Sequence, residues 1–185
     1  MSKKGQLVEI PEDSPLYRRL KPLFLTKEEE LQWESKLHEY SLFDGFLAGD
    51  HPGTEHYKLG QRKGISVGGK KAPLYVIGID HAENRVFVGE GKDHPALWRK
   101  VLAFSPKQTG WKQGFISAPD HVEKGIAVTV EARSLANPVN AQLYDFGSEV
   151  FLEAEDPFPL TLLDEDLIIR HQQQIIAIFK INHTH

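Results

Sequence analysis

Two short runs carry the residue types that hold a phosphate group. Gly60-Gln61-Arg62-Lys63-Gly64 sets two cations and an amide between glycines, and Gly68-Gly69-Lys70-Lys71 repeats the arrangement a few residues on. Glycine lets backbone N–H groups approach a phosphate, while Arg and Lys neutralise it and fix register without reading base sequence. Residues 54–71 hold Lys58, Arg62, Lys63, Lys70 and Lys71 against the single Glu55. On charge pattern alone two readings stand: contact with phosphate or RNA, and a solvated loop. Residues 145–166 have the opposite balance, with Asp145, Glu149, Glu153, Glu155, Asp156, Asp164, Glu165 and Asp166 and no Lys or Arg. A polyanion is steered to the first segment and repelled by the second.

Other chemistry is weaker. The stretch from Gly64 to Lys71 nearly fits the nucleotide-binding pattern Gly-x4-Gly-Lys-Ser/Thr, but Lys71 stands where a hydroxyl should hold magnesium. Gly89-Glu90-Gly91-Lys92 lacks the third glycine of a dinucleotide fingerprint. Asp-His occurs at 50–51, 80–81, 93–94 and 120–121. Neighbours in extended chain point to opposite sides, so each pair gives one ligand at most to a given site. Turn formation beside Pro or Gly explains Asp50-His51-Pro52-Gly53 and Asp93-His94-Pro95. His51 and His56 are the one histidine pair worth following. No Ser or Thr sits in a nucleophile elbow, and the carboxylates of 145–166 read as an acidic face. The expectation is no catalytic residue, no metal and no cofactor.

At 185 residues with 40% hydrophobic content, the chain has room for one ordinary domain or two small ones. Its net charge of −4 argues against nucleic-acid binding over the whole surface. Absence of cysteine excludes disulfides, thiolate metal sites and a thiol nucleophile. No run approaches the roughly 18 apolar residues of a membrane helix, and the first ten residues lack a signal-peptide core, so the cytoplasm is the expected location and no membrane partner is expected.

The elements that must position the basic runs follow from pattern. Thr26 and Glu29 have capping-box spacing ahead of a helix over 30–40, with Leu37 and Tyr40 on one face. A shorter helix is expected over 14–20. From Gly45 the punctuation changes to Gly, Pro and Asp; 74–79 and 85–89 form a hairpin, and 96–104 is a short helix or an extended link. Residues 105–110 are the domain boundary. Beyond them, 125–132, 139–144, 149–154, 166–171 and 174–181 are strands at the short spacing of a small antiparallel barrel. The predicted fold is α+β: an N-terminal helical segment (1–44), a small mostly-β central domain (45–104) and a C-terminal antiparallel β-barrel (111–182).

One family resemblance covers this chemistry. His56-Tyr57-Lys58-Leu59-Gly60-Gln61-Arg62-Lys63-Gly64, the hairpin that follows, and Gly91-Lys92-Asp93-His94-Pro95 resemble the region behind the catalytic domain of bacterial tRNA-specific 2-thiouridylases. Gly110-Trp111 and Arg133…Asn137-Pro138-Val139 are similar to the start of that family's C-terminal barrel, whereas 158–166 departs from its usual Pro-Gly-Gln turn. In the family a separate ATP-pyrophosphatase domain adenylates the wobble uridine and two cysteines deliver sulfur; this sequence has neither the Ser-Gly-Gly-x-Asp-Ser loop nor a cysteine. The resemblance implies a non-catalytic module that binds tRNA weakly, through Arg62 and Lys63 with Gln61, His56, Lys58, Lys70 and Lys71 beside them and Gly60, Gly64, Gly68 and Gly69 giving access. A second expectation is a protein-interaction subunit that docks onto a separately encoded catalytic subunit.

Overall fold

The computed structural model describes residues 4–113 and 124–180, which are mostly β. The pair Asp120-His121 lies outside these residues. Chain contacts divide into two compact units: 1–22, 37–98 and 159–161 form one, and 23–36, 99–158 and 162–185 the other. The segment 1–44, read from sequence as one helical piece, is therefore shared between the two.

The first unit is built on a four-stranded sheet. Its strands are β1 (Gly5–Glu9), β2 (Phe46–His51), β3 (Leu74–Asp80) and β4 (Arg85–Glu90), in the order β2-β1-β4-β3. β3 and β4 are the expected hairpin, rich in the branched residues that suit a pleated surface. Its turn is held by Asp80, whose Oδ1 accepts from the Glu83 N–H at 3.0 Å, and Asn84 adopts φ 52°. β1 was not anticipated: it is five residues long, and Leu7 and Val8 are both buried, so the alternation that marks a strand is absent. It inserts centrally, antiparallel to β2 and parallel to β4. Leu7, Tyr57, Leu74, Val76, Val86 and Val88 form the core of this unit.

The expected helix over 14–20 is instead a single 3-10 turn, Pro15–Tyr17. Ser14 caps it weakly, and the Tyr17 ring is drawn off to an aromatic cluster, edge-on to His38 and His94 at 5.0 and 5.3 Å, with its hydroxyl 3.1 Å from that of Tyr40. Burial pushes the Tyr17 phenol up to about 12.

The second unit is a curled seven-stranded sheet. It comprises β5 (Trp98–Phe104), β6 (Thr109–Trp111), β7 (Ile126–Glu131), β8 (Val139–Asp145), β9 (Val150–Pro159), β10 (Leu167–His171) and β11 (Gln174–Phe179), in the order β5-β9-β8-β7-β10-β11-β6. All five strands expected beyond residue 111 are present. Of residues 96–104, Ala96 and Leu97 belong to a 3-10 turn (Pro95–Leu97) and the rest form β5, where buried Arg99 and Val101 alternate with exposed Trp98 and Lys100. The stretch 105–110, expected to be a boundary, is a 3-10 turn at Pro106–Gln108 leading into β6. Phe104 of β5 meets Phe179 of β11 with ring centroids 4.8 Å apart, which brings distant strands of the sheet together around a core that includes Val130, Leu143, Leu152, Phe158 and Ile169.

The helix α1 (Lys27–Ser35) lies on this second unit. Its capping box forms as the sequence implies: the Thr26 hydroxyl accepts from the Glu29 N–H at 3.2 Å, and the Glu29 carboxylate accepts from the Thr26 N–H at 3.3 Å. Leu31 is fully buried among Val101, Tyr144 and Phe151. The helix stops at Ser35, five residues before the expected end. Lys36 is extended, and the Arg99 guanidinium donates to the carbonyls of Glu34 and Lys36 at 3.0 and 2.8 Å, satisfying acceptors that a helix end leaves open.

Candidate nucleic-acid interface

The basic residues lie on the connection between β2 and β3. A 3-10 turn at Thr54–His56 begins it, with Thr54 Oγ1 2.9 Å from His81 Nδ1. Buried Tyr57 and half-buried Leu59, Ile65 and Val67 pin the connection to the core of the first unit. The Gly60 N–H donates to Val76 O at 2.8 Å, and the Val76 N–H donates to Gln61 O at 2.9 Å. These two bonds continue the sheet beyond its β3 edge and fix the backbone immediately before Arg62.

Gln61 is engaged within the loop itself. Its Oε1 accepts from the Lys58 N–H at 2.9 Å and its Nε2 donates to Lys63 O at 2.8 Å. The amide clamps the loop on both sides of the cations. Lys58, Arg62 and Lys63 are exposed around it, as is Lys71 further on.

Lys70 is committed elsewhere. Its ammonium pairs with the Glu9 carboxylate of β1 and lies 4.9 Å from the centroid of the Phe46 ring. Glu9 is 5% exposed, and Lys70 is its charge compensation. Sequence gave no sign of this pair, because the partners are 61 residues apart and β1 itself was not anticipated.

His56 and His51 do not form a matched pair. His56 is more than half exposed, with its Nε2 3.5 Å from Glu55. His51 is buried, its ring edge-on to Tyr57 at 5.3 Å, and neither of its nitrogens has a hydrogen-bond partner. His94 is a structural residue: Nε2 donates to Ile10 O at 3.1 Å and Nδ1 accepts from the Ala96 N–H at 3.3 Å, which fixes the neutral Nε2–H tautomer. Burial lowers its pKa, against a smaller opposing pull from the Ile10 carbonyl.

The glycines divide by cause. Gly60, Gly64 and Gly69 adopt φ of 75°, 82° and 77°, which the backbone itself demands, and a Cβ on Gly60 would strike Thr161. Gly68 has neither constraint. Nothing lies within 4 Å of the place its Cβ would occupy.

A cleft of about 410 Å³ opens beside the loop, lined in part by Arg62, Ile65, Val67, Lys71, Pro73 and Leu74. Its wall is tied down where the Ala72 N–H donates to Glu90 Oε1 at 2.7 Å. The acidic stretch, in contrast, serves partly as a dock for α1. Glu153 accepts from Lys27 at 3.0 Å, and Glu149 accepts from Gln32 at 3.1 Å. Burial disfavours the Lys27 charge, but its bonds to Glu153 and Glu30 outweigh that and raise its pKa.

Residues 38–90 match the tRNA methyl transferase PRC-barrel domain. Over 132 residues, 71% of this chain and 33% of the relative, the sequence is 36% identical to the tRNA-specific 2-thiouridylase MnmA of Christiangramia forsetii. The chain is similar to part of the tRNA-specific 2-thiouridylases. The thiouridylase MnmA of Karelsulcia muelleri is 33% identical over 156 residues, 84% of this chain and 37% of that protein. That of Flavobacterium johnsoniae is 29% identical over 155 residues, 84% and 39%. The chain thus spans a little over a third of the length of the thiouridylases it matches. The matched domain contains the whole basic loop and the β3–β4 hairpin, and excludes β1, which supplies Glu9. No described helix is long and apolar enough to cross a membrane.

Proposed function

We propose that this chain is a non-catalytic tRNA-binding module of tRNA modification, with Lys58, Arg62, Lys63 and Lys71 as its phosphate contacts. The observation that carries the reading is four exposed cations on a loop whose backbone is clamped by Gln61 and tied to β3. A braced loop presents charge at fixed positions without losing the conformational entropy that a free loop loses on binding. Kinship with the thiouridylases makes tRNA the polyanion of choice. Gln61 and Lys70 shape this surface instead of touching the ligand, and His56 lies at its margin.

Binding of tRNA across a salt series tests this. Four neutralised phosphates give a slope of log affinity on log salt near roughly −2.8, at about −0.7 per contact for single strands. Replacing Arg62 and Lys63 by Ala flattens the slope by about 1.4 and weakens all RNAs alike, since phosphate contacts carry no sequence information. An unchanged slope in the double variant rejects the assignment.

A second reading has its own observation. Leu23 and Leu25 are almost fully exposed beside a cleft of about 510 Å³ lined by Phe24 and Trp33. Exposed apolar side chains of this size suit a docking subunit for a separately encoded catalytic ATP-pyrophosphatase. Co-purification of such a partner, lost on changing Leu23 and Leu25 to Ser, supports that reading.

A further inference from the structure

We propose that the Trp98 ring is a stacking platform for one unpaired base of an RNA strand whose phosphates lie on the basic loop. The inference rests on the tRNA-binding reading and adds to it a contact that salt does not screen.

Trp98 stands apart from the other two tryptophans. Trp33 packs on Phe24 with ring centroids 5.9 Å apart, and Trp111 meets Phe179 edge-on at 5.7 Å, so both have ring partners within the second unit. Trp98 is 45% exposed at the start of β5. Leaving so large a side chain half in water forgoes burial, yet the residue is not loose. Its Nε1–H donates to Lys92 O at 3.1 Å, and its backbone N–H donates to Pro95 O. The turn Pro95–Leu97 behind it is capped by His94 and anchored by buried Ala96 and Leu97. With the polar edge of the indole satisfied, what remains for a ligand is the face of the ring. A ring already fixed loses little entropy on binding.

The surroundings of the ring supply the ligand's chemistry. Two hydrogen bonds join the chain ahead of Trp98 to the chain that leaves the basic loop: the Gly91 N–H donates to Pro73 O at 2.9 Å, and the Ala72 N–H to Glu90 Oε1 at 2.7 Å. Lys71 and Lys92, next to this junction in each chain segment, are both exposed. Trp98, these lysines and Arg62 all belong to the first unit. An aromatic face beside a cationic track is the arrangement by which proteins hold single strands: charge follows the backbone, and the ring takes a base. Asp93 follows Lys92 and is exposed too, so residues 91–98 carry no net charge of their own. A ring in that setting adds stacking affinity without adding electrostatic attraction. Duplex RNA keeps its base faces stacked inside, which leaves the platform nothing to hold.

The test uses the full chain with two single strands of equal length and charge, an oligouridylate and the same oligomer made abasic, and with tRNA. Wild-type protein is expected to bind the base-bearing strand about ten-fold more tightly than the abasic one, which is about 1.4 kcal/mol, within the range for stacking one base. Trp98→Leu is expected to lose that preference while its salt slope stays at the wild-type value, because no phosphate contact is removed. Trp98→Phe loses the bond to Lys92 O as Trp98→Leu does but keeps a ring, and is expected to retain most of the preference. Equal loss in both variants assigns the effect to the Lys92 turn and overturns the platform. So does a preference that persists in Trp98→Leu; a protein that co-purifies with wild type and not with that variant would then be the ring's partner. Equal wild-type affinity for the two strands, or binding of tRNA with neither strand bound, overturns the platform and leaves the phosphate surface standing. Failure of wild-type protein to bind tRNA or either strand overturns the platform together with the tRNA-binding reading.

Discussion

Lys70, one of the two cations that follow the second glycine pair, neutralises Glu9 across the sheet of the first unit. Glu9 is 5% exposed and the Lys70 side chain 21%, so the pair is largely shielded from water and from salt. Removing one partner leaves the other charge without compensation. Lys70→Ala is expected to destabilise the chain by about 2–4 kcal/mol, somewhat below a fully buried pair because Lys70 keeps some contact with solvent. The double change Glu9→Gln with Lys70→Met should recover most of that loss, because it removes both charges and keeps both volumes. Urea unfolding of the three proteins checks it. A Lys70→Ala midpoint equal to wild type would show that Glu9 needs no partner.

A second expectation concerns α1. Leu31 is its only buried residue, and Arg99 closes its C-terminus through two carbonyls. Leu31→Ala should cost about 2–4 kcal/mol through the cavity left among Val101, Tyr144 and Phe151. Arg99→Leu keeps the bulk but leaves the Glu34 and Lys36 carbonyls without this donor, and is expected to cost about 1–3 kcal/mol. Thr26→Ala, which removes the cap, should cost about 1 kcal/mol. If α1 were merely resting on the surface, Leu31→Ala and Arg99→Leu would both fall within error of wild type in chemical denaturation.

These two sites also show what was legible in the sequence. The capping box at Thr26 and Glu29 is a local signal and it forms, although α1 begins at Lys27, three residues ahead of the expected 30–40. The stop is not local: it is made by Arg99, more than 60 residues downstream, and no pattern within 30–40 announces it. The strands of the second unit were readable because alternation in segments such as 126–131 reports a sheet with one dry face. β1 was not, because it is central in its sheet and Leu7 to Glu9 are all buried. The same cause hid half of the candidate site. The cations at 58–71 stand out by composition, but only the placement of β1 reveals that Lys70 is spent on Glu9 and that Ile65, Val67 and Leu74 share a cleft with Arg62.

His94 gives the first unit a pH dependence. Burial holds its folded pKa below the ordinary value of 6.5, so between those two values the unfolded chain binds more protons than the folded one. Its stabilising contribution is therefore complete above pH 6.5 and is lost as pH falls through the folded pKa. Two groups face the ring from neighbouring elements with opposing effect: the nearby charges of Glu12 and Glu9 favour the protonated form. Tyr17 packs edge-on against it. Unfolding free energy measured between pH 7.5 and 5 should decline in wild type and decline less in His94→Gln. Parallel curves for the two proteins would assign the decline to other groups.

The turn between β10 and β11 offers a gain in stability. Gln172 and Gln173 hold φ of 47° and 69°, a left-handed pair that glycine and asparagine adopt far more readily. Arg170 donates to the Gln173 carbonyl at 3.2 Å, a backbone contact that survives substitution. Changing Gln172 to Asn and Gln173 to Gly should stabilise the chain by about 1 kcal/mol, read as a rise in unfolding midpoint with no change in tRNA affinity. A fall in the midpoint would mean that the glutamine side chains hold the turn by contacts of their own.

The last prediction separates the residues that shape the basic loop from those that would touch RNA. Gln61 bonds to Lys58 N–H and Lys63 O, and its side chain has no need of a ligand to explain it. Gln61→Glu keeps the acceptor for Lys58 N–H but cannot donate to Lys63 O when ionised, and so loosens the turn that carries Arg62 and Lys63. Affinity for tRNA should fall by about three- to ten-fold through lost order and one added negative charge. Gln61→Leu loses both bonds without adding charge; its affinity should fall while its salt slope stays at the wild-type value, because no phosphate contact has been removed. Lys63→Ala behaves in the opposite way, flattening the slope by about 0.7 with the loop geometry intact. Measuring affinity and slope together for the three variants tells the roles apart: a slope that flattens in Gln61→Leu as much as in Lys63→Ala would make the amide itself a ligand contact and overturn its assignment as a clamp.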